Sequence, residues 1–412
     1  MNVLELCKES IYQILQEDAY INIVINDTIK KNELKNNDKS LYTKIVYGVV
    51  ENKIYLDYQL KPYLKNDKLP KQVLTYLRIG CYALLELNIS KIYIVSELVE
   101  LVKQDFKSYV GMVNAILRNI IRNGKAPITG DKYHQLSIRY SYPINLVTYL
   151  DKMYPNDIGE ILKPASISHN TYRINKKTDI HKLEAKLQEL HIDYQIYGHS
   201  LITKSSINDT YFIKRGDIVN QNLSSQEVIN VLNPKVNTTI LDMCAAPGSK
   251  AIQLADTLDN QCDITCCDIH PHKIKLIESA CKNQNITCIK TICCDASTYN
   301  FGKLYDVVML DAPCSGLGVM KHKADLKYKF KFSDVEDIIV LQKALLGKAY
   351  TLVKKGGILI YSTCTINKEE NEEMMKYFLK KHKDMEVMDE RFRLPDDIYD
   401  GFYICKMKKR DE

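Results

Sequence analysis

At 412 residues the chain exceeds one ordinary core and points to two or three domains. Its 57 basic against 51 acidic residues leave +6 and a pI near 8.5, a mild balance that suits nucleic acid without requiring it. No apolar run approaches the roughly 18 residues of a membrane span, and Met1–Ser10 lacks a basic-then-apolar leader, so a soluble, cytoplasmic protein is expected.

Residues 1–125 carry apolar side chains at three- and four-residue spacing, in segments such as Leu41–Leu64, Gln72–Leu87, Tyr93–Phe106 and Met112–Arg122, which predicts an all-helical domain ended by Gly124 and Pro127. Arg118 and Arg122, four apart on one face, suit phosphate contact. Residues 126–220 read as a small α+β connector. It has a helix over Ile144–Met153, a strand over Thr171–Asn175, a helix over Asp179–Leu190, and strand-like runs at Tyr194–Tyr197 and Tyr211–Ile213. Tyr172, Arg173 and Lys176 read as surface strand residues, with RNA stacking or pairing as the alternative. Over residues 221–412 strands alternate with helices: Thr238–Met243, Asp263–Asp268, Ile286–Ile292, Asp306–Asp311 and Gly357–Thr363 predict βαβ units and a mostly parallel sheet. The helix Val335–Val353 is expected to end on Lys354-Lys355-Gly356-Gly357, basic residues followed by glycine.

Two strand ends carry the chemistry. After Thr238–Met243 comes Cys244-Ala245-Ala246-Pro247-Gly248-Ser249-Lys250 and a helix; small residues let a ligand approach the backbone, and the helix start offers unpaired amides to an anionic group. A single glycine is present, so the dinucleotide fingerprint and a nicotinamide dehydrogenase are excluded. Asp268, 20 residues beyond Gly248, ends the next strand where ribose hydroxyls bind, and Asp295 ends the third, placed for an adenine edge. A nucleoside bearing a carboxylate, S-adenosylmethionine, fits this set. The apolar run Tyr305–Leu310 then leads into Asp311 and Cys314, and Tyr361-Ser362-Thr363-Cys364 ends a strand that a doubly wound sheet can place beside it. Two cysteines at one mouth suit thiolate addition to carbon 6 of a pyrimidine, which makes carbon 5 nucleophilic enough to take a methyl group. Asp311 is placed to hydrogen-bond the base.

Ten of the 13 cysteines lie between Cys244 and Cys364 within strand-like runs, which favours reduced thiols over a disulfide framework. Cys266-Cys267 and Cys293-Cys294 lack Cys-x-x-Cys spacing, and strand alternation turns each pair's members apart, so no metal site is expected, with His270, His272 and His322 adding nothing to it.

Leu241–Lys250, Asp311-Ala312-Pro313-Cys314-Ser315-Gly316-Leu317-Gly318 and Ser362-Thr363-Cys364 resemble the signature motifs of the RNA cytosine-5 methyltransferases. The helical region, with Val113-Asn114-Ala115-Ile116-Leu117-Arg118, resembles the NusB-like RNA-binding domain of the bacterial Sun/RsmB (Fmu) branch. The resemblance implies a Rossmann-like methyltransferase domain preceded by an all-α NusB-like domain and the connector. It further implies Cys364 as nucleophile, Cys314 as helper of product release and Asp311 as the residue that orients the base. S-adenosylmethionine would be held by Cys244, Ala245, Ala246, Pro247, Gly248, Ser249, Lys250, Asp268, Asp295 and Asp311. The implied substrate is one cytosine, splayed from a loop of 16S ribosomal RNA, cytosine 967 by family expectation, with a monomeric enzyme and no membrane partner.

The sequence departs from the family pattern in three places. Ser249 stands where glycine is common, Met320–Tyr328 is lysine-rich where Arg-Arg-x-Pro is usual, and Gln221 and Gln226 match the domain's entry motif in part. The lysines of 320–328 are expected to keep phosphate contact without bidentate arginine geometry. Competing readings are a transfer-RNA cytosine-5 methyltransferase, and an RNA-binding assembly or transcription factor with a vestigial catalytic domain. DNA cytosine methyltransferases take their nucleophile from a Pro-Cys motif like that at Cys314, which would reverse the two cysteine roles.

Overall fold

The computed structural model describes residues 2–64, 68–165, 169–208 and 210–411, with the backbone alone for Asn36. The chain folds into two units, Met1–Lys163 with Lys323–Phe330, and Pro164–His322 with Lys331–Glu412. Residues 126–220, read as one connector, divide between them.

The first unit is helical: α1 (Val3–Gln16), α2 (Ile21–Lys31), α3 (Asn36–Glu51), α4 (Lys53–Leu60), α5 (Lys71–Glu86), α6 (Lys91–Asp105), α7 (Val110–Asn123), α8 (Lys132–Tyr140), α9 (Ile144–Met153) and α10 (Ile158–Leu162). α5 is the central helix, buried almost all round from Val73 to Leu84, and the apolar stripes of α1, α3, α6 and α7 close over it. Arg118 and Arg122 lie exposed on α7.

In the second unit an antiparallel sheet of order β2-β3-β1-β4 is built from β1 (Asn170–Ile174), α11 (Ile180–Glu189), β2 (Tyr194–Tyr197), β3 (Ser200–Thr203), α12 (Tyr211–Arg215) and β4 (Ile218–Asn220). Tyr211–Ile213, expected as a strand, is helical: β1 is already paired on both edges by β3 and β4, and Gly216 in the left-handed region (φ 75°) closes the turn.

The rest of the chain follows as α13 (Leu223–Leu232), β5 (Thr239–Asp242), α14 (Ser249–Thr257), β6 (Asp263–Asp268), α15 (Pro271–Asn283), β7 (Ile289–Cys293), β8 (Tyr305–Asp311), α16 (Leu326–Lys329, which folds into the first unit), α17 (Phe332–Leu352), β9 (Val353–Thr363), α18 (Glu372–Lys381), β10 (Met385–Arg393) and β11 (Phe402–Lys409). The sheet order is β10-β11-β9-β8-β5-β6-β7, parallel from β7 to β9, with the hairpin β10–β11 antiparallel at the other edge. Each face carries its own core, and Cys266 and Cys267 enter opposite ones, as strand alternation requires. Lys354–Gly357 does not cap α17. It opens β9, where Gly356 (φ 71°) accompanies a register slip and a Cβ on Gly357 would stand 2.9 Å from the Asp306 carbonyl oxygen.

Two expectations fail together in the first unit. Leu41–Leu64 is not one helix: it breaks at Asn52, and the Ser141 hydroxyl accepts from the amides of Ile54 (2.7 Å) and Tyr55 (3.2 Å) at the start of α4. The released carbonyl of Glu51 accepts from Lys327 Nζ at 2.8 Å, and Lys327 also reaches the Tyr140 carbonyl at 3.2 Å, over the Tyr142 ring. The lysines of 320–328 therefore do not form an open phosphate-binding run: Lys327 is 3% exposed, the Lys321 side chain is buried beside Asp397, and Asp325 accepts from the Ile21 amide.

Burial holds the Lys327 ammonium down to about 7 against the opposing pull of Glu51. Unfolded lysine titrates near about 10.4, so between these values the unfolded chain carries the extra proton and stability rises with pH. In urea unfolding, the difference between wild type and Lys327→Met is expected to grow in favour of wild type by about 2–3 kcal/mol from pH 7 to pH 9. A difference independent of pH would contradict this reading.

Candidate active site

The strand order reverses between β5 and β8: the chain runs outward through β6 and β7 on one side, and through β9 on the other. Ligands of open parallel sheets bind at that switch, beyond the strand carboxyl ends. Asp268 and Asp311 end their strands, and the turn Cys244–Lys250, Asp295, Cys314 and Cys364 follow strand ends, all on this side of the sheet.

β8 and β9 pair in parallel with Asp311 beside Ser362, which brings the loops after them together. The Ala312 amide donates to the Ser362 carbonyl at 2.8 Å and the Gly318 amide to the Cys364 carbonyl at 3.1 Å. Gly318 permits that approach, since a Cβ there would meet the Gly401 carbonyl oxygen at 2.1 Å and that of Cys364 at 2.8 Å. Cys314 Sγ and Cys364 Sγ end 3.4 Å apart, each half-buried and neither in a disulfide. The Cys314 thiol is pushed well above the ordinary range by its hydrogen bond with Cys364, by burial, and by the negative charge of Cys364 and Glu370.

Lys250 projects from the first turn of α14 and donates to Asp311 Oδ2 at 2.6 Å, while Ser362 Oγ donates to Asp311 Oδ1 at 2.7 Å. Burial alone would lower the Lys250 ammonium. Asp311, and then Asp242 and Cys364, outweigh it and raise it, so the group stays charged beside the nucleophile candidate. The sequence reading placed Lys250 in the cofactor turn, and its ammonium pairs with Asp311, the residue expected to orient the base.

The candidate cofactor cradle consists of the turn before α14 and the strand ends beside it. Gly248 lies at φ 98°, donates its amide to the Ala245 carbonyl at 2.7 Å, and packs so tightly that a Cβ would meet Ile277 at 3.2 Å. Beneath the turn, Asp242 is 1% exposed with Oδ1 unpartnered among the described residues, and burial followed by the charge of Asp311 pushes its carboxyl up to about 7. Asp268 accepts from the His270 amide at 3.0 Å and faces Lys273 at 3.9 Å. Asp295 lies two residues beyond β7, exposed, and accepts from the Ser297 amide and hydroxyl at 2.9 and 2.7 Å. An orphaned buried carboxylate oxygen, a helix start and two strand-end carboxylates fit the amine, carboxylate and hydroxyls of an amino-acid nucleoside such as S-adenosylmethionine.

Asp242 and Glu370 escaped the sequence reading. Asp242 looked like the end of an apolar strand, and Glu370 belongs to the acidic run 369–373 that reads as a solvated helix start. Tyr172 and Arg173 are neither surface residues nor free for RNA. Tyr172 is fully buried, and Arg173 donates to Gln221 (3.1 Å), Asp256 (2.7 Å) and Gln284 (3.0 Å), tying the antiparallel sheet to α14 and α15. Gln221 and Gln226 complete that network: Gln221 donates to Gln253 at 2.6 Å, and Gln226 to the Gln221 carbonyl at 3.0 Å. Lys176 pairs with Asp259 at 2.5 Å. Among the described residues no cluster of His, Cys, Asp or Glu has the makings of a metal site, and no helix is long and apolar enough to cross a membrane.

A seven-stranded sheet with one reversed strand, a small-residue turn at its switch point and strand-end carboxylates around it defines a Rossmann-like domain of the S-adenosylmethionine-dependent methyltransferase class. The family model described as 16S rRNA methyltransferase RsmB/F matches residues 229–407, and the NusB family model matches residues 1–122. The chain is 32% identical to the probable ribosomal RNA small subunit methyltransferase B of Bacillus subtilis (strain 168), with 99% of each chain covered. It is 30% identical to the protein of that description from Synechocystis sp., over 90% of this chain and 87% of the relative. The crystal structure of PH0851 shares the fold, with a TM-score of 0.84 at 22% identity over 98% of this chain and 97% of that one. The chain belongs to the 16S rRNA methyltransferase RsmB/F family and is a methyltransferase.

Proposed function

We propose that the protein transfers a methyl group to carbon 5 of one cytosine in 16S ribosomal RNA, cytosine 967 by family expectation, through a covalent adduct on Cys364. The observation that carries this reading is the pair of sulfurs 3.4 Å apart beside the Lys250–Asp311 ion pair. S-adenosylmethionine, when bound, supplies an electrophilic methyl group. Within the cradle, the amides at the start of α14 take its carboxylate, Asp268 its ribose hydroxyls and Asp295 its adenine edge.

Asp311 keeps lone pairs beyond those used by Lys250 and Ser362, and with them accepts from the exocyclic amine of the cytosine, which fixes the ring over the sulfurs. Cys364 adds as thiolate to carbon 6, and the charge that develops on the ring is met by the Lys250 ammonium. Carbon 5, now enamine-like, takes the methyl group. Loss of the carbon 5 proton to water and expulsion of the Cys364 thiolate restore the ring. Cys314 Sγ, 3.4 Å from Cys364 Sγ, hydrogen-bonds the departing sulfur. The exposed Arg118 and Arg122 of α7 contact RNA phosphates, and the enzyme works as a cytoplasmic monomer.

Purified protein, methyl-labelled cofactor and unmethylated 16S RNA should give label at carbon 5 of a single cytosine, identified by nuclease digestion and mass spectrometry. Label confined to transfer RNA, or carried on an atom other than carbon 5, overturns the assignment.

A further inference from the structure

Glu370 and Asn371, in the loop between β9 and α18, are fully buried, and each grips one of the two cysteine loops. Asn371 holds the loop of Cys364: it accepts from Thr363 Oγ1 at 2.6 Å and donates to the Thr365 carbonyl at 3.0 Å. Glu370 holds the loop of Cys314. Its carboxylate accepts from the Ser315 amide at 2.9 Å, from the Ser315 hydroxyl, and from Asn367 Nδ2 and Gln342 Nε2 at 3.0 Å each. Gln342 Nε2 also donates to the Pro313 carbonyl at 2.9 Å, so the peptide units on both sides of Cys314 are pinned to this one buried anion. Ser315 Oγ and Thr365 Oγ1, 2.7 Å apart, join the two loops.

The two sulfurs have different charged neighbours. Cys364 shares its surroundings with the Lys250 ammonium, which a charged Cys364 helps to hold protonated. Cys314 is faced by Tyr361 from β9, by Cys364 and Glu370 from the loop that follows it, and by the Gly316 amide, the last of which favours its thiolate. A buried anion satisfied by four donors costs the fold little and disfavours a second negative charge next to it.

We propose that Glu370 is the positioning residue that distinguishes the two cysteines: its carboxylate fixes the Cys314 loop and keeps Cys314 a neutral thiol, leaving Cys364 to be the thiolate. The proposal rests on the two-cysteine mechanism above and supplies its asymmetry. The S–H of Cys314 is then available to donate to the Cys364 sulfur as that sulfur leaves the base.

The test is iodoacetamide alkylation, read peptide by peptide by mass spectrometry across pH, without RNA or methyl donor. Its failure is therefore separate from a failure of the methylation assay. In Cys364→Ser, Cys314 is expected to reach half-maximal alkylation rate at least about one pH unit above an ordinary thiol near 8.5. A midpoint at or below that of an ordinary thiol overturns the proposal, whatever the other variants do. Adding Glu370→Gln should move the Cys314 midpoint down by about one pH unit or more, whereas Glu370→Asp, which keeps the charge, should leave it high. Superimposable profiles for the Gln and Asp variants, each folded by circular dichroism, would reduce Glu370 to a packing role and overturn the proposal.

Discussion

Cys364→Ser is expected to lower methyl transfer by at least about a thousandfold, because a serine hydroxyl does not ionise near neutral pH and no other group replaces the thiolate that adds to carbon 6. The exchange of one atom in a half-buried side chain should leave the fold intact. Affinity for the methyl donor by calorimetry and the melting temperature should then stay near wild type, since the proposed cradle draws on β5, β6, β7 and the start of α14. Residual activity within about tenfold of wild type would remove Cys364 from the reaction.

Lys250→Met should have the next largest effect, and on two measurements at once. The Lys250 side chain is 11% exposed and its ammonium sits 2.6 Å from Asp311. Removing it leaves Asp311 uncompensated near the protonatable Asp242, at a cost of about 2–4 kcal/mol in unfolding free energy after allowance for the partial exposure of Asp311. It also removes the cation next to Cys364. The thiolate is then harder to form, so the acid limb of the rate profile should move to higher pH, and kcat/KM near neutrality should fall by about a hundredfold. A rate profile whose acid limb does not move would mean that Lys250 supports the fold and leaves the nucleophile alone.

The parallel strands were legible because a strand buried on both faces is an unbroken apolar run that stops at a carboxylate; Asp263–Asp268 was bounded as the structure has it. The positions of the candidate residues were legible for the same reason, since Asp268, Asp311 and Cys364 punctuate such runs. The terminal hairpin β10–β11 went unread. Met385–Arg393 is a charged edge strand with one buried residue, so its composition resembles a solvated loop, and the edge is where such charge belongs. Lys327 was misread because lysine is taken for surface by default, and the two carbonyls that hold it, of Glu51 at the helix break before Asn52 and of Tyr140 at the end of α8, come together only in the fold. Arg173 hid in the same way, its partners lying about 50, 80 and 110 residues further along the chain. Glu370 could not be told from its neighbours Glu369 and Glu372, because only the folded loop shows which of these carboxylates turns inward.

The account turns on which sulfur bonds to the base. A 16S RNA carrying 5-fluorocytidine blocks loss of the carbon 5 substituent after methyl transfer, so the adduct persists and can be digested and sequenced by mass spectrometry. The nucleotide is expected on the peptide containing Cys364, with none on that containing Cys314, and Cys314→Ser should still form the adduct. A nucleotide linked to Cys314 would contradict the account.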